Sequence, residues 1–147
     1  MILLAIAIGV TSVTLAPGHV SATVVIHDAW VRESTAARTS SSAYMRIENR
    51  TSRAVALVQV TAPGVETAQV HASVDRQGRT AMEPIAKLTI AARGSVDLAP
   101  GGMHIMLTGI ARPLVAGTSI EMRLTFDDGH TRAVRAIVRP LSATGPR

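Results

Sequence analysis

Cysteine is absent from the 147 residues. That excludes disulfides, thiolate zinc sites, iron–sulfur clusters and any copper centre built on a cysteine sulfur. Aromatic rings are almost as scarce, with Trp30, Tyr44 and Phe126 forming the whole set. A surface that stacks successive bases on several rings is therefore not available. The net charge is +5, yet the cations, all arginine except Lys87, are spread from Arg32 to Arg147 without a block. Neither feature points to nucleic acid. No Gly-x-Ser-x-Gly elbow occurs and no Ser, His and Asp share an informative spacing, so the chain is not expected to be an enzyme. Lys, Arg, Asp and Glu are all missing from the first 22 residues. The apolar stretch there, Ile2 to Val10, is too short for an ordinary membrane span, and Val20-Ser21-Ala22 offers small residues for cleavage. Residues 1–22 are thus expected to be a signal peptide, which places the mature protein outside the cytoplasm without a membrane span.

What remains is 47% hydrophobic and 17% charged, enough apolar material for one core. After residue 23 the pattern breaks into short alternating segments separated by Gly, Pro, Asp, Asn and Ser. Strands are expected at Val24 to Val31, Ser42 to Glu48, Ala54 to Thr61, Glu66 to Val74, Lys87 to Ala91, Met103 to Thr108, Ser119 to Phe126 and Thr131 to Val138. The clearest alternates Ile120, Met122, Leu124 and Phe126 with Glu121, Arg123 and Thr125, and Asp127-Asp128-Gly129 then closes a hairpin. Strands about every ten residues with no amphipathic helix between them predict an all-β antiparallel sandwich or barrel, a single domain over residues 23–140, with 141–147 as a mobile tail.

Chemistry concentrates in the segment Pro100-Gly101-Gly102-Met103-His104-Ile105-Met106-Leu107. On a strand, His104 and Met106 project from one face, while Met103, Ile105 and Leu107 project from the other. An imidazole beside a thioether suits a soft ion, because thioether sulfur selects Cu(I) over hard cations. Core methionine and a structural histidine are the alternative account. Upstream, His71 and Met82 flank a turn at Gly78 that would fold the chain back as a hairpin. There too, an exposed strand histidine and a core methionine remain open.

The four residues have the spacing His-x10-Met-x21-His-x-Met, which resembles the signature of the periplasmic copper chaperones of the PCu(A)C type. Asp28-Ala29-Trp30-Val31-Arg32 resembles that family's opening strand, Ala43-Tyr44-Met45 to Asn49 its second, and Pro100-Gly101-Gly102 with His104-Ile105-Met106-Leu107 its metal-binding strand. The resemblance implies a cupredoxin-like β-sandwich binding Cu(I) near its surface through His71, Met82, His104 and Met106. It also implies delivery of copper to the copper-accepting domain of cytochrome c oxidase or to another copper chaperone. A copper scavenger or buffer, or a non-metal exported interaction module, is the competing function. Some relatives place Met directly after the first His, where this chain has Ala72, and some carry a His- and Met-rich extension that LSATGPR lacks. The resemblance therefore does not extend to a second copper site.

Other candidates have plainer explanations. His27 is expected to be a surface strand residue, with a Cu(II) role beside a free amino terminus as the alternative. His130 belongs to a polar hairpin turn, Met45 and Met122 to the core, and Trp30 is expected to anchor the core.

Overall fold

The computed structural model describes residues 23–146, so the expected signal peptide lies outside the described residues. Ten strands follow in chain order: β1 (Val24–Arg32), β2 (Ser41–Asn49), β3 (Val55–Thr61), β4 (Val65–Arg76), β5 (Arg79–Pro84), β6 (Leu88–Ile90), β7 (Ser95–Leu98), β8 (His104–Ile110), β9 (Ser119–Phe126) and β10 (Thr131–Arg139). No described helix is long and apolar enough to cross a membrane.

The strands close on themselves in the order β4-β8-β2-β1-β10-β9-β3 and back to β4, with β5, β6 and β7 attached to β4, β3 and β2. Every pairing in this ring is antiparallel except β1 with β10. The exception is forced. Strand direction cannot alternate all the way round a ring of seven, so one neighbouring pair must run the same way. The first and last strands supply it.

The barrel is filled by Val31, Ile47, Ile90, Ile105, Leu107, Met122, Leu124, Phe126 and Val138, all 2% exposed or less. Burial of such side chains drives closure. On β9 the apolar residues point inward and Glu121 and Arg123 are exposed, as the alternation predicts. Met45 and Met122 are core residues, also as expected. The hairpin at 127–130 forms with Gly129 at φ 84° and the Asp128 carboxylate accepting the His130 amide at 2.9 Å.

One bulge redirects a whole row of side chains. Val24 and Ile26 face inward on β1, so a regular strand would send Trp30 inward too. The register slips between His27 and Trp30, with Asp28 at φ 51°. The extra residue inverts the alternation, and Ala29 and Val31 take the core positions instead. Trp30, only 3% exposed, lies outside the core cluster on the opposite face, its ring centroid 4.5 Å from that of Tyr44. Arg32 covers both rings, its guanidinium carbon 6.0 Å and 5.5 Å from their centres. From residue 140 onward the chain lies back over this face. The Leu141 amide donates to Glu33 and Arg32 donates to the Ala143 carbonyl.

Candidate metal centre

Three adjacent strands, β5, β4 and β8, carry the candidate donors. The β4–β5 hairpin turns at Gln77-Gly78, with φ 57° and 78°, the two left-handed residues that a tight two-residue reversal requires. The Gly78 amide is further held by the Asp75 carboxylate at 2.8 Å. This turn sets the register: Met82 lies opposite Ser73, and Pro84 opposite His71. On the other side of β4, His71 pairs with His104 and Gln69 with Met106.

Directly paired residues point to the same side of an antiparallel ladder, and alternate residues along a strand share a side. Val70, Ile105 and Leu107 face the core. It follows that His71, Met82, His104 and Met106 all project from the outer face of the same three strands. The two imidazoles are nearest neighbours, with ring centroids 5.9 Å apart and planes at 62°. Met106 is one step along β8 from His104, and Met82 is diagonal to His71 across β4 and β5.

Exposure is graded across the group. His104 is 9% exposed, His71 and Met106 are half-buried, and Met82 is 45% exposed. Met82 is therefore not a core methionine. Its sulfur accepts a hydrogen bond from the Ser73 hydroxyl at 3.0 Å. A second thioether lone pair stays free.

His104 Nδ1 lies 3.1 Å from the Gly102 carbonyl oxygen. A carbonyl only accepts, so Nδ1 must carry the proton and Nε2 is left with the lone pair that can bind a metal. Burial, and behind it the charge that His104 would carry, push the His71 imidazole below its ordinary pKa. Both effects favour the neutral, ligating form. Among the described residues no cluster of three or more His, Cys, Asp or Glu is placed to hold a metal. Two imidazoles flanked by two thioethers make a soft donor set that would disfavour hard cations.

The other two histidines among the described residues are occupied elsewhere. His27 Nε2 is 2.7 Å from a Glu48 carboxylate oxygen, and Arg50 with His27 holds that carboxyl down to about 2. His130 pairs with Asp128 at 3.1 Å within its hairpin.

Tyr44 is a neighbour that the spacing of donors does not reveal. Its ring centroid is 6.3 Å from that of His104, and Trp30 stacks behind it. A row of rings thus runs Trp30, Tyr44, His104, His71 across β1, β2, β8 and β4. The signal for Tyr44 was present: it alternates with Ala43 and Met45, so if those two face the core it must face outward. The signal for Trp30 was hidden by the bulge.

The exposure gradient carries a prediction about oxidation. With hydrogen peroxide acting on the folded protein, Met82 should become the sulfoxide first, while Met45 and Met122, at 2% and 0% exposure, should be protected. Peptide mapping by mass spectrometry reads the order. Equal oxidation of all three would contradict the placement of Met82.

Residues 24–138 match the LpqE-like lipoprotein family. The protein Lxx21020 of Leifsonia xyli subsp. xyli is 34% identical over 127 residues, which cover 86% of this chain and 75% of that protein. Among solved structures, the chain superposes on the copper-bound PCuAC domain from PmoF2 with a TM-score of 0.69 at 23% identity, covering 83% of this chain and 97% of that one. The Cu(I) form of DR1885 from Deinococcus radiodurans is similar at a TM-score of 0.68 and 28% identity, covering 88% and 85% of the two chains. With its sequence matched over nearly all of the barrel and its fold shared with PCuAC domains, this chain belongs to the LpqE-like family and resembles the PCu(A)C-type copper chaperones.

Proposed function

We propose that this protein is an extracytoplasmic copper chaperone that carries Cu(I) on His71, Met82, His104 and Met106 and hands it to the copper centre of cytochrome c oxidase or to another copper carrier. The observation that carries the reading is the common outward projection of two imidazoles and two thioethers from β5, β4 and β8. Two solved relatives with the same fold are a copper-bound PCuAC domain and the Cu(I) form of DR1885, which supports copper as the cargo. The lipoprotein description of the family, together with the apolar, uncharged first 22 residues, supports a location outside the cytoplasm.

Four neutral donors leave the ion its single positive charge, so the complex is held by soft-donor bonding without ion pairing. His104, nearly buried and oriented by the Gly102 carbonyl, is the fixed end of the site. Met82, on the outermost strand and open to solvent, is the replaceable end. An incoming thiolate or imidazole displaces that thioether first and takes the ion over by stepwise ligand exchange.

Anaerobic titration with Cu(I) against a competing chelator tests this. One equivalent should bind, and binding should weaken in acid because each imidazole must be neutral. His71 has a lowered proton affinity, so its protonation competes less with loading than that of an ordinary imidazole, whose pKa is about 6.5. In the apo protein the same shift has the opposite sign for stability. The unfolded chain takes up the His71 proton more readily, so folding stability should fall as pH drops through that value. No bound copper at neutral pH would overturn the assignment. Copper that binds but never passes to an apo oxidase copper domain would leave a buffer in place of a chaperone.

A further inference from the structure

Met106 lines a second feature besides the donor cluster: a groove of about 160 Å³ walled by Arg32, Arg38, Ser40, Ser41, Ser42 and Leu141. Ser42 is the direct cross-strand partner of Met106, so the groove and the donors share an edge. Its charge is net positive, two guanidinium groups against one carboxylate. Glu33 is that carboxylate, and it accepts the Leu141 amide at 3.0 Å. Arg32 is held over Trp30 and Tyr44 and donates to the Ala143 carbonyl, so with its Nε shut off from solvent it offers the groove its charge and the outer edge of its guanidinium. Arg38 is exposed, and among the described residues its guanidinium makes no hydrogen bond or ion pair with the protein. The groove thus offers two guanidinium groups and the hydroxyls of Ser40 and Ser42 beside the proposed copper donor Met106, with one carboxylate that holds the Leu141 amide.

We infer that this groove is the docking site for an acidic, extended segment of the protein that receives the metal. The inference rests on the copper reading above for its purpose, although the binding itself needs no metal. Carboxylates of the partner would pair with Arg38 and Arg32, the Ser40 and Ser42 hydroxyls would donate to the remaining oxygens, and Leu141, 42% exposed, would cover an apolar side chain. Docking there brings the partner's metal ligands alongside Met106 and leaves Met82 clear. Charge complementarity of this kind acts chiefly on the rate of encounter and weakens with salt.

Two synthetic peptides of identical length, each with a Cys-x-x-Cys pair, one flanked by Asp and Glu and the other by Lys, provide the probe. The fluorescein-labelled acidic peptide should bind the metal-free full chain in an anisotropy titration at least about tenfold more tightly than the Lys-flanked one, a margin that several close charge pairs supply. Arg38→Glu should erase the difference while leaving the Cu(I) affinity unchanged, and about 0.5 M salt, roughly three times the physiological level, should shrink it. Copper transfer from the loaded protein should be faster to the acidic peptide by a similar factor. Equal binding of the two peptides, or an Arg38→Glu variant that keeps the preference, overturns the docking site even if one copper still binds. Preference for the acidic peptide in a protein that binds no copper would keep the docking site and remove the copper reading.

Discussion

His104→Ala should lower Cu(I) affinity by at least about 100-fold, since groups one step removed from a metal already cost about 10–100-fold when lost. His71→Ala should do nearly the same, and the double variant should bind no more copper than free methionine-rich peptide. Chelator competition measures all three. The fold should survive, because neither histidine belongs to the apolar cluster that fills the barrel. Far-ultraviolet circular dichroism of the apo variants checks that. Met82→Ala should cost less than either histidine variant, as its thioether is largely open to water and its place is the easiest for solvent or an added ligand to fill. Unchanged affinity in His104→Ala would remove the proposed site, whatever the behaviour of the methionine variants.

The second large effect concerns a residue with no part in metal chemistry. Asn49 is fully buried at the end of β2. Its amide nitrogen donates to the carbonyls of Arg53, Ile90 and Ala91 at 2.7, 3.1 and 3.0 Å, while its carbonyl oxygen accepts the amide and hydroxyl of Thr51. One side chain therefore ties the end of β2 to the loop before β3 and to the end of β6. Asn49→Asp is nearly isosteric, but a carboxylate would face three carbonyl oxygens and could donate to none of them. Each unsatisfied buried group costs about 1–3 kcal/mol, so a loss of about 3 kcal/mol or more is expected, a large part of the usual total of about 5–15 kcal/mol. The sign with pH follows. Protonation restores a donor, so the folded-state pKa of the new carboxyl lies above its unfolded value, and the variant should regain stability as pH falls. Urea melts at neutral and mildly acidic pH read this. A variant as stable as the parent at neutral pH would contradict the clasp.

Much of this architecture is readable from residue order alone, because a half-buried strand writes its period directly into the chain. Ser119–Phe126 is the plainest case, and the pairing of His104 with Met106 on one face needs only the same rule. Strands β5 and β7 are harder. Arg79–Pro84 is largely exposed on both faces and has no apolar stripe to announce it, while the stripe of Ser95–Leu98 is only Val96 and Leu98, too short to stand out. Both exist because a neighbouring strand offers them a ladder. Trp30 illustrates a different limit. Its environment depends on one inserted residue at Asp28, and nothing in a local pattern of apolar and polar residues marks a bulge. The same holds for Arg32, whose position over Trp30 and Tyr44 follows from that inversion. As for the four donors, their separations in the chain suggest a set only by likeness to other sequences. Their common face emerges from the register of two ladders, which the Gly78 turn and the β4–β8 pairing fix.

Barrel closure has one thin line. β3 and β4 share a single ladder pair, Val60 with Ala68, whereas β4 and β8 are matched from Val65–Ile110 to His71–His104. If the wall parts anywhere short of complete unfolding, it parts along that line, where the fewest hydrogen bonds must break. The sheet then swings open as a hinged leaf, and β5, β4 and β8 travel together on it. The spatial relation among His71, Met82, His104 and Met106 is internal to the leaf, so breathing of the barrel can flex the wall without pulling the four apart.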